Sequence, residues 1–487
     1  MAYRHGVYVS EVPTSILPPV NVSAGLPVVF GTAPLHLSES KPVNTPVLCY
    51  SYAEAVENFG FVPADPVTGI FEYTLCEAIK SHFALFAVAP IVLVNVLDPA
   101  THKASVSAEE AELEDGKVTL ANNGVLAESI VVKDQAGETT YVLDTDYEIT
   151  NDTSGFTIIN RTENSAIATD TATLSIDYDH LDTSAVDAND IVGGVDATTG
   201  KLTGLELINE VFPRFRLVPG QVLAPKYSAD SSVSAVMKAK SGNINQHFKA
   251  ISISDIPTDT VVKYSDAPAW KNNNNVTDPL QVICWPKVKL GGEQYHLSTQ
   301  LAGLICKVDS DNADIPYKSP SNKTLQMDST VLESGEEVWL APDTAAYLNG
   351  EGIVTALNFI GGWKAWGNRT AAYPAITDPK DAFIPVRRMF NWIGNTLILT
   401  FWQRVDEPTN RRQIDTVLDS ANIWLNGLAA QGYILGGRVE FLETENPITD
   451  LMDGISRFHV YVTPPSPNRE IDFILEFDPT YLQTLFS

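Results

Sequence analysis

The chain has 487 residues, of which 44% are hydrophobic and 19% charged, a composition that predicts a globular protein of about two to four domains. Its formal net charge of −28 argues against direct binding to nucleic acid, because phosphate contacts need clustered Lys and Arg. The four cysteines lie far apart without CxxC spacing, which is typical of buried thiols in a protein made in a reducing cytoplasm.

The first residues lack the basic and apolar regions of a signal peptide, so none is expected. The longest apolar run, about residues 83–97, is interrupted by Pro90 and is too short to span a bilayer. We therefore expect no membrane insertion.

Residues 1–20 predict an extended N-terminal arm. Residues 6–12 are short and rich in β-formers, and three prolines follow within a loop-like stretch. This pattern predicts one strand near the start of the chain. The residues expected to form it are Val7, Tyr8, Val9 and Val12.

Two segments, residues 21–100 and 204–345, show an α/β pattern. The first predicts strands at 28–33, 46–51 and 91–97, a helix at 52–59, and a helical stripe of Phe71, Leu75, Ile79 and Phe83. The second predicts helices at 205–212 and 231–242 and strands at 215–222, 249–253 and 282–285. Alternating strands and helices predict a sheet flanked by helices.

Residues 101–203, which separate these segments, differ in texture and in charge. The part from Thr101 to Asp190 carries 19 acidic residues against four basic ones. Turn residues separate short strand-like stretches at 129–133, 139–143, 147–150, 156–160 and 172–178. This pattern predicts a small β-sandwich or barrel, inserted in the α/β fold and facing solvent.

Residues 346–463 predict a C-terminal domain with two strong helices. Apolar residues recur at helical spacing over 386–401 and 414–428, and the second helix has Pro408 near its first turn and Gly432 at its end. Arginines cluster near the ends of both helices, and they predict either a solvated surface or a basic face that meets an acidic partner. They are Arg387, Arg388, Arg404, Arg411 and Arg412.

Residues 464–487 predict a C-terminal arm. Residues 457–462 and 470–477 alternate as strands, and a proline-rich spacer separates them. One face of the second strand is apolar and consists of Ile471, Phe473, Leu475 and Phe477. A terminal apolar strand on a stiff tether is suited to pairing with a sheet edge of another subunit. Pairing within its own domain is the alternative.

Signatures of catalysis are missing from the sequence. It contains no phosphate-binding loop, dinucleotide fingerprint, HExxH motif or nucleophile elbow. The eight histidines are scattered singly, so we expect no metal and no cofactor. Distant residues can still assemble a Ser-His-Asp triad, but nothing nominates a nucleophile. Together with the arms, this pattern favours assembly over catalysis and predicts no catalytic residue.

Five short motifs follow one another along the chain. They are residues 6–13 (GVYVSEVP), 44–48 (NTPVL) with 58–60 (NFG), 302–305 (AGLI) with Asp309, 320–323 (PSNK), and 348–349 (LN) through 366–370 (WGNRT). In this order they resemble the sheath proteins of contractile phage tails, over nearly the whole chain outside the acidic insertion. The expected fold is α/β (α+β) and multidomain, with a helix-flanked mixed sheet, an inserted all-β domain and extended terminal strand arms.

The resemblance implies a structural, non-enzymatic subunit of six-membered rings that stack helically around a tail tube. Contraction of this sheath drives the tube through a cell envelope. The resemblance also implies arms that augment a sheet in neighbouring subunits and a subtilisin-like middle domain without catalysis. It places the C-terminal domain innermost, so that Arg404, Arg411 and Arg412 are expected to face the tube.

The expected partners are further copies of the chain, the tail tube protein, and baseplate and tail terminator proteins. The expected location is the virion tail, after assembly in the host cytoplasm. Two alternatives remain open. One is the sheath of a contractile bacteriocin or related injection machine, and the other is a subtilisin-like hydrolase, which requires a reactive serine.

Overall fold

The computed structural model describes residues 23–486, so the predicted N-terminal strand (Val7, Tyr8, Val9 and Val12) lies outside the described residues. The first segment has the expected α/β order: β1 (Pro27–Gly31), β2 (Val47–Cys49), α1 (Tyr52–Phe59), α2 (Thr74–Ile79) and β3 (Ile91–Asn95). α1 has the predicted bounds, because Ser51 caps it by accepting a hydrogen bond from Glu54 N. The predicted helical stripe begins at Phe71, which is too early, because α2 starts at Thr74. After Ile79 the helix continues as a π-helix over Lys80–Leu85.

The insertion is all-β, as predicted. Its strands are β4 (Lys103–Glu112), β5 (Lys117–Asn123), β6 (Val131–Asp134), β7 (Tyr147–Asn151), β8 (Phe156–Arg161) and β9 (Thr173–Leu181). They form two three-stranded antiparallel sheets, in the orders β4-β9-β6 and β5-β8-β7. The sheets enclose a hydrophobic core of their own, which includes Leu120, Val132, Ile159 and Ile176.

Two details of the insertion differ from the prediction. Residues 139–143 are not a continuous strand, since they form only isolated bridges, Thr140 with Lys133 and Leu143 with Tyr147. β4 and β5 were not predicted. β4 is rich in exposed glutamates, such as Glu110 and Glu112, and this acidity obscured its alternation.

The chain then returns to the α/β pattern. The elements are α3 (Ala188–Val192), β10 (Gly194–Val195), β11 (Leu202–Thr203), α4 (Ile208–Phe215), β12 (Gln221–Leu223), α5 (Ser231–Ser241), β13 (Ile251–Asp255), α6 (Ala267–Asn273), β14 (Gln281–Cys284), β15 (Lys287–Leu290), β16 (Glu293–Tyr295), α7 (Leu297–Ser310) and β17 (Ser329–Val331). The strand predicted at 215–222 is wrong over most of its length. α4 ends at Phe215, and Arg216 follows it in the left-handed region with a φ of 59°.

The last part contains α8 (Pro342–Gly350), β18 (Ile353–Asn358), β19 (Trp363–Trp366), α9 (Pro379–Ala382), α10 (Ile384–Phe401), α11 (Arg411–Ala430), β20 (Gly436–Glu440), α12 (Ile448–Met452) and β21 (His459–Thr463). α10 and α11 are the two predicted helices. No helix among residues 23–486 is long and apolar enough to cross a bilayer.

Eight strands form the central sheet in the order β19-β18-β14-β13-β12-β1-β3-β2. The six inner strands run parallel, and the edge strands β19 and β2 are antiparallel to their neighbours. Strands from both predicted α/β segments thus join in one sheet, and β18 and β19 extend it beyond residue 345. Residues 322–325 cover the β19 edge, since Asn322 N donates to Ala365 O at 2.6 Å and Leu325 N to Trp363 O at 3.1 Å.

A buried ion pair joins three parts of the chain. Arg388 of α10 is 3% exposed, and both of its terminal nitrogens donate to the carboxylate of Asp309 on α7. Its Nη2 also donates to Ala24 O at 3.4 Å. The next residue is held as well, because Gln221 Nε2 and Cys306 Sγ donate to the Gly25 carbonyl at 2.7 and 3.1 Å. Ala24 and Gly25, near the start of the described residues, are therefore held by contacts with the sheet, α7 and α10.

The same contacts correct the predicted arginine cluster. Arg388 is internal, and Arg387 pairs with Asp381 at 2.9 Å in a partly buried position. Neither belongs to a solvated surface or to a free basic face. The residues at helical spacing around these arginines on α10 belong to the core. A carboxylate from another element neutralises each arginine, and the spacing of residues within α10 does not predict such a partner.

Replacing Arg388 with Leu should lower the free energy of unfolding by about 3–5 kcal/mol, because the substitution leaves the Asp309 carboxylate buried without its partner. Urea unfolding of the purified chain measures this loss. The double variant Arg388→Leu, Asp309→Leu should recover most of it. Arg411→Leu is the matched control, since its Asp415 pair is exposed and should contribute less than about 1 kcal/mol. Equal losses for Arg388→Leu and Arg411→Leu would contradict the role of the pair.

Candidate assembly interface

The C-terminal arm leaves the fold and is exposed. Residues 468–485 are all exposed, and residues 464–478 contain no strand because no described segment pairs with them. The predicted apolar face points away from any core: Ile471, Phe473, Leu475 and Phe477 are 65%, 86%, 94% and 77% exposed. Within the described chain, the arm has the apolar side chains of a half-buried strand but lacks a partner.

The strand that precedes the arm belongs to a small hairpin. β21 pairs antiparallel with β20 over the full length of both strands, from Gly436 opposite Thr463 to Glu440 opposite His459. The outer side of β20 is partly closed, because the Asn422 side chain of α11 accepts from Val439 N at 2.8 Å and donates to Val439 O at 3.1 Å. No third strand among residues 23–486 pairs with β21. The hairpin therefore offers an open edge at β21.

The two faces of this hairpin differ in character. Val439, Val460 and Val462 share one face by strand alternation, and they pack against the main core. On the other face Arg438 lies 3.9 Å above the ring of Tyr461, which stacks on His459. A strand added at β21 with Phe473 and Leu475 on the valine side would extend the apolar layer.

The predicted basic patch lies between α10 and α11. Arg404 ends a short 3₁₀ turn, while Arg411 and Arg412 open α11 and are exposed. Arg411 is already paired with Asp415 at 2.9 Å. Asp406 and Glu407 are in the same connection, so the patch carries mixed charge. The Arg404 carbonyl lies at the first turn of α11, where it accepts from Gln413 Nε2 at 3.4 Å, and Arg404 and Arg412 have no ion pair within the described residues.

A polar cluster lies at the carboxyl edge of the parallel sheet, where α/β enzymes place their sites. It borders a cleft of about 250 Å³ that Asp255, Lys287, His296 and Glu333 help to line. Asp255 accepts hydrogen bonds from Ser298 N at 3.0 Å and from the Ser298 hydroxyl. Burial raises the pKa of the Asp255 carboxyl.

This cluster does not assemble a catalytic triad. His296 Nδ1 faces Glu77 at 2.8 Å, whereas the Ser298 hydroxyl donates to Asp255. A nucleophilic serine of a triad needs its hydroxyl hydrogen-bonded to the histidine imidazole, which accepts the proton. Within residues 23–486, no group of three or more His, Cys, Asp or Glu side chains could hold a metal ion.

Comparisons with known proteins show which sequences and folds this chain resembles. A family described as a protein of unknown function matches residues 82–189, which include the inserted β-domain. The tail sheath protein of Burkholderia phage BcepMu is 29% identical over 99% of this chain and 98% of its own length.

Two solved structures show the same fold. A sheath complex of the extracellular contractile injection system PVC, in its contracted state, covers 99% of each chain with a TM-score of 0.57 at 15% identity. A chain of the anti-feeding prophage baseplate covers 98% of this chain, and all of its own, with a TM-score of 0.58 at 15% identity. The chain is thus similar in sequence, over nearly its full length, to a tail sheath protein, and it shares its fold with chains of contractile injection systems.

We expect no labelling of the purified chain by a fluorophosphonate probe, because the hydroxyl of Ser298, the serine of the polar cluster, donates its hydrogen bond to the Asp255 carboxylate and not to an imidazole. Gel fluorescence beside a serine hydrolase of known activity makes the measurement. Labelling that a single Ser→Ala change abolishes would overturn the structural interpretation.

Proposed function

We propose that this chain is the structural, non-enzymatic subunit of a contractile tail sheath in a virion. In this proposal it polymerises as stacked six-membered rings around a tail tube, and contraction drives the tube through the host envelope. Its partners are further copies, the tube protein, and baseplate and tail terminator proteins. Assembly takes place in the host cytoplasm. The observation that carries the proposal is the exposed apolar arm of a chain whose hairpin has an open edge.

The arm joins copies by strand addition. Each strand paired at β21 adds backbone hydrogen bonds worth about 1 kcal/mol net apiece. Burying Ile471, Phe473, Leu475 and Phe477 adds roughly 6–10 kcal/mol before ordering costs. The N-terminal arm (residues 1–20) adds to the same sheet from a different neighbour. Because each arm leaves one copy and enters another, the contacts are heterologous, and heterologous contacts whose rotation does not close generate a helical polymer.

Contraction follows from this connectivity. The spacer with Pro464, Pro465 and Pro467 links the fold to the arm, so that a subunit rotates while its arm stays paired in the neighbour. The sheath then shortens by repacking subunit surfaces within a mesh that stays connected.

The sheath of a phage-derived injection system or bacteriocin is a second candidate. It is favoured by the likeness of fold to the PVC and anti-feeding prophage chains. The mechanics are the same in both cases. Neighbouring genes separate the two, since capsid and terminase genes accompany a phage tail.

Truncation after Asn468, or deletion of residues 1–13, should leave a folded monomer with near-normal melting that polymerises poorly. The reason is that residues 468–485 are exposed and contribute little to the core. Sedimentation and negative-stain microscopy of each truncation beside the full chain measure assembly. A Val142→Ser, Leu143→Ser variant, which removes exposed apolar side chains of the insertion, is the control and should assemble normally. Normal tubes from both truncations would show that the arms do not join the copies.

Removing the acidic insertion should leave polymerisation intact, because its charge would repel like subunits if it were packed between them. The ends to be rejoined are adjacent, since Lys103 pairs with Leu181 across β4 and β9. A Gly/Ser linker in place of residues 104–180 spares α3, which contacts the core through Ile191. Microscopy then shows whether sheath forms. A variant that is folded and soluble but never assembles would place the insertion in the lattice.

We propose Arg404, Arg411 and Arg412 as the tube-facing patch. Replacing all three with Glu should weaken co-sedimentation with tube and leave sheath self-assembly unchanged, and raised salt should have the same effect. Arg404 and Arg412 should carry most of the loss, because Arg411 already has a partner. Arg216→Glu, at an exposed arginine outside the C-terminal domain, is the control. Unchanged tube binding by the triple variant would move the patch elsewhere.

A further inference from the structure

Two of the sequence motifs, residues 320–323 and 366–370, meet in one cleft of about 320 Å³. The cleft lies where β18 begins and β19 ends, and the root of the C-terminal arm forms one wall. No residue that lines it within the described chain is acidic. Its polar lining includes Ser321, Asn322, Asn368, Arg369, Asn468 and Arg469. Arg469 pairs with the neighbouring Glu470 at 2.8 Å, so Arg369 supplies the net positive charge of the cleft in a protein of net charge −28.

Arg369 is the best-positioned cation of the cleft. Its guanidinium carbon lies 3.8 Å from the ring centroid of Phe383 and 4.3 Å from that of Tyr373, so two aromatic rings fix its orientation. Most arginines among residues 23–486 pair with a carboxylate of the chain, but Arg369 has no ion pair there. A half-buried, oriented guanidinium without a counter-charge is suited to an incoming anion.

The backbone beside Arg369 is also fixed. Gly367 N donates to Ser321 Oγ at 3.1 Å, which ties the two motifs together. Gly367 has a φ of 143°, and a Cβ there would lie 2.8 Å from Asn349 Oδ1 and 3.0 Å from Val354 Cα. Only glycine fits this approach. The cleft is therefore held in shape before any ligand arrives.

We propose that this cleft binds carboxylates on the C-terminal arm of a second copy of the chain, an inference that rests on the proposed exchange of arms. The arm carries Glu470, Asp472, Glu476 and Asp478 within one short extended segment. Residues two apart on an extended chain share a face about 6.6–6.8 Å apart, so neighbouring carboxylates point the same way. The arm root at the cleft wall places arms and cleft in the same region of the polymer.

The cleft resolves a problem of charge. Copies of net charge −28 repel one another, and an arm with four carboxylates adds to that repulsion where it enters a neighbour. The Arg369 guanidinium binds a carboxylate bidentately, and the side-chain amides and hydroxyls around it satisfy the remaining oxygen lone pairs. The apolar face of the arm then supplies affinity, and its acidic face supplies recognition by the cleft.

The test measures binding of a fluorescent peptide of residues 470–486 to the full chain by anisotropy, at concentrations below those that form polymer. Arg369→Gln should raise the Kd about tenfold, and Arg369→Lys less, because Lys keeps the charge but loses the fork. Arg216→Gln is the matched control, since Arg216 also lies over an aromatic ring and has no ion pair with any residue of 23–486, and the Kd of this variant should be unchanged. A peptide with Asp472→Asn and Glu476→Gln should lose the same factor on the wild-type chain and nothing further on Arg369→Gln.

The outcomes separate this inference from the proposed function. Equal binding of the peptide to wild-type and Arg369→Gln chains overturns the role of the cleft and leaves arm exchange standing. Absence of binding to every chain overturns both. Inorganic phosphate at constant ionic strength is the second probe: binding of phosphate that depends on Arg369, with peptide binding that does not, identifies a free oxyanion as the ligand and overturns the assignment to the arm. If Arg369→Gln melts early, the neutralised peptide and Arg369→Lys give the result.

Discussion

The buried pair between Arg388 and Asp309 constrains how α10, α7 and the first described residues pack together. Two charges out of water cost several kcal/mol each, and only bidentate geometry with a further acceptor, here Ala24 O, offsets that cost. The pair fixes α10 to α7 and holds the residues at which the described chain begins. In the proposed sheath, a load on the N-terminal arm would reach the central sheet and the C-terminal helices through this point.

Charge is distributed so that contacts between copies are possible. Residues 101–190 of the insertion hold 19 of the 60 acidic residues, and several of them shape turns. Backbone hydrogen bonds hold the pKa of Asp134 and Asp146 below the usual range, so these carboxyls stay ionised at neutral pH. The insertion also has its own core, and most of its acidic side chains need no partner from the main domain. More than half of the net charge of −28 thus lies in residues 101–190, where four basic residues accompany 19 acidic ones, and there it favours solubility.

Sequence periodicity predicted the elements whose pattern is local. α1, α5, α10, α11 and the strands β1, β2, β3, β13 and β14 lie close to their expected positions, because caps and apolar spacing are encoded within each segment. What the pattern missed depends on partners distant in sequence: the ion pair of Arg388, the closure of β20 by Asn422, and the cleft around Arg369. The motif at 366–370 supplies several residues of the cleft, but only the fold brings Ser321 beside Gly367.

The exposed arm affects the stability of the isolated chain. Four large apolar side chains in water raise the free energy of the monomer, and intramolecular pairing would relieve this if the arm could fold back on β21. The proline-rich spacer opposes such a reversal, and the acidic residues that alternate with the apolar ones limit nonspecific aggregation. In the proposed sheath the edge of another copy supplies the partner that the arm lacks. Under that proposal, part of the stabilisation of the chain is gained only on assembly, and the exchanged arms connect every subunit of the polymer.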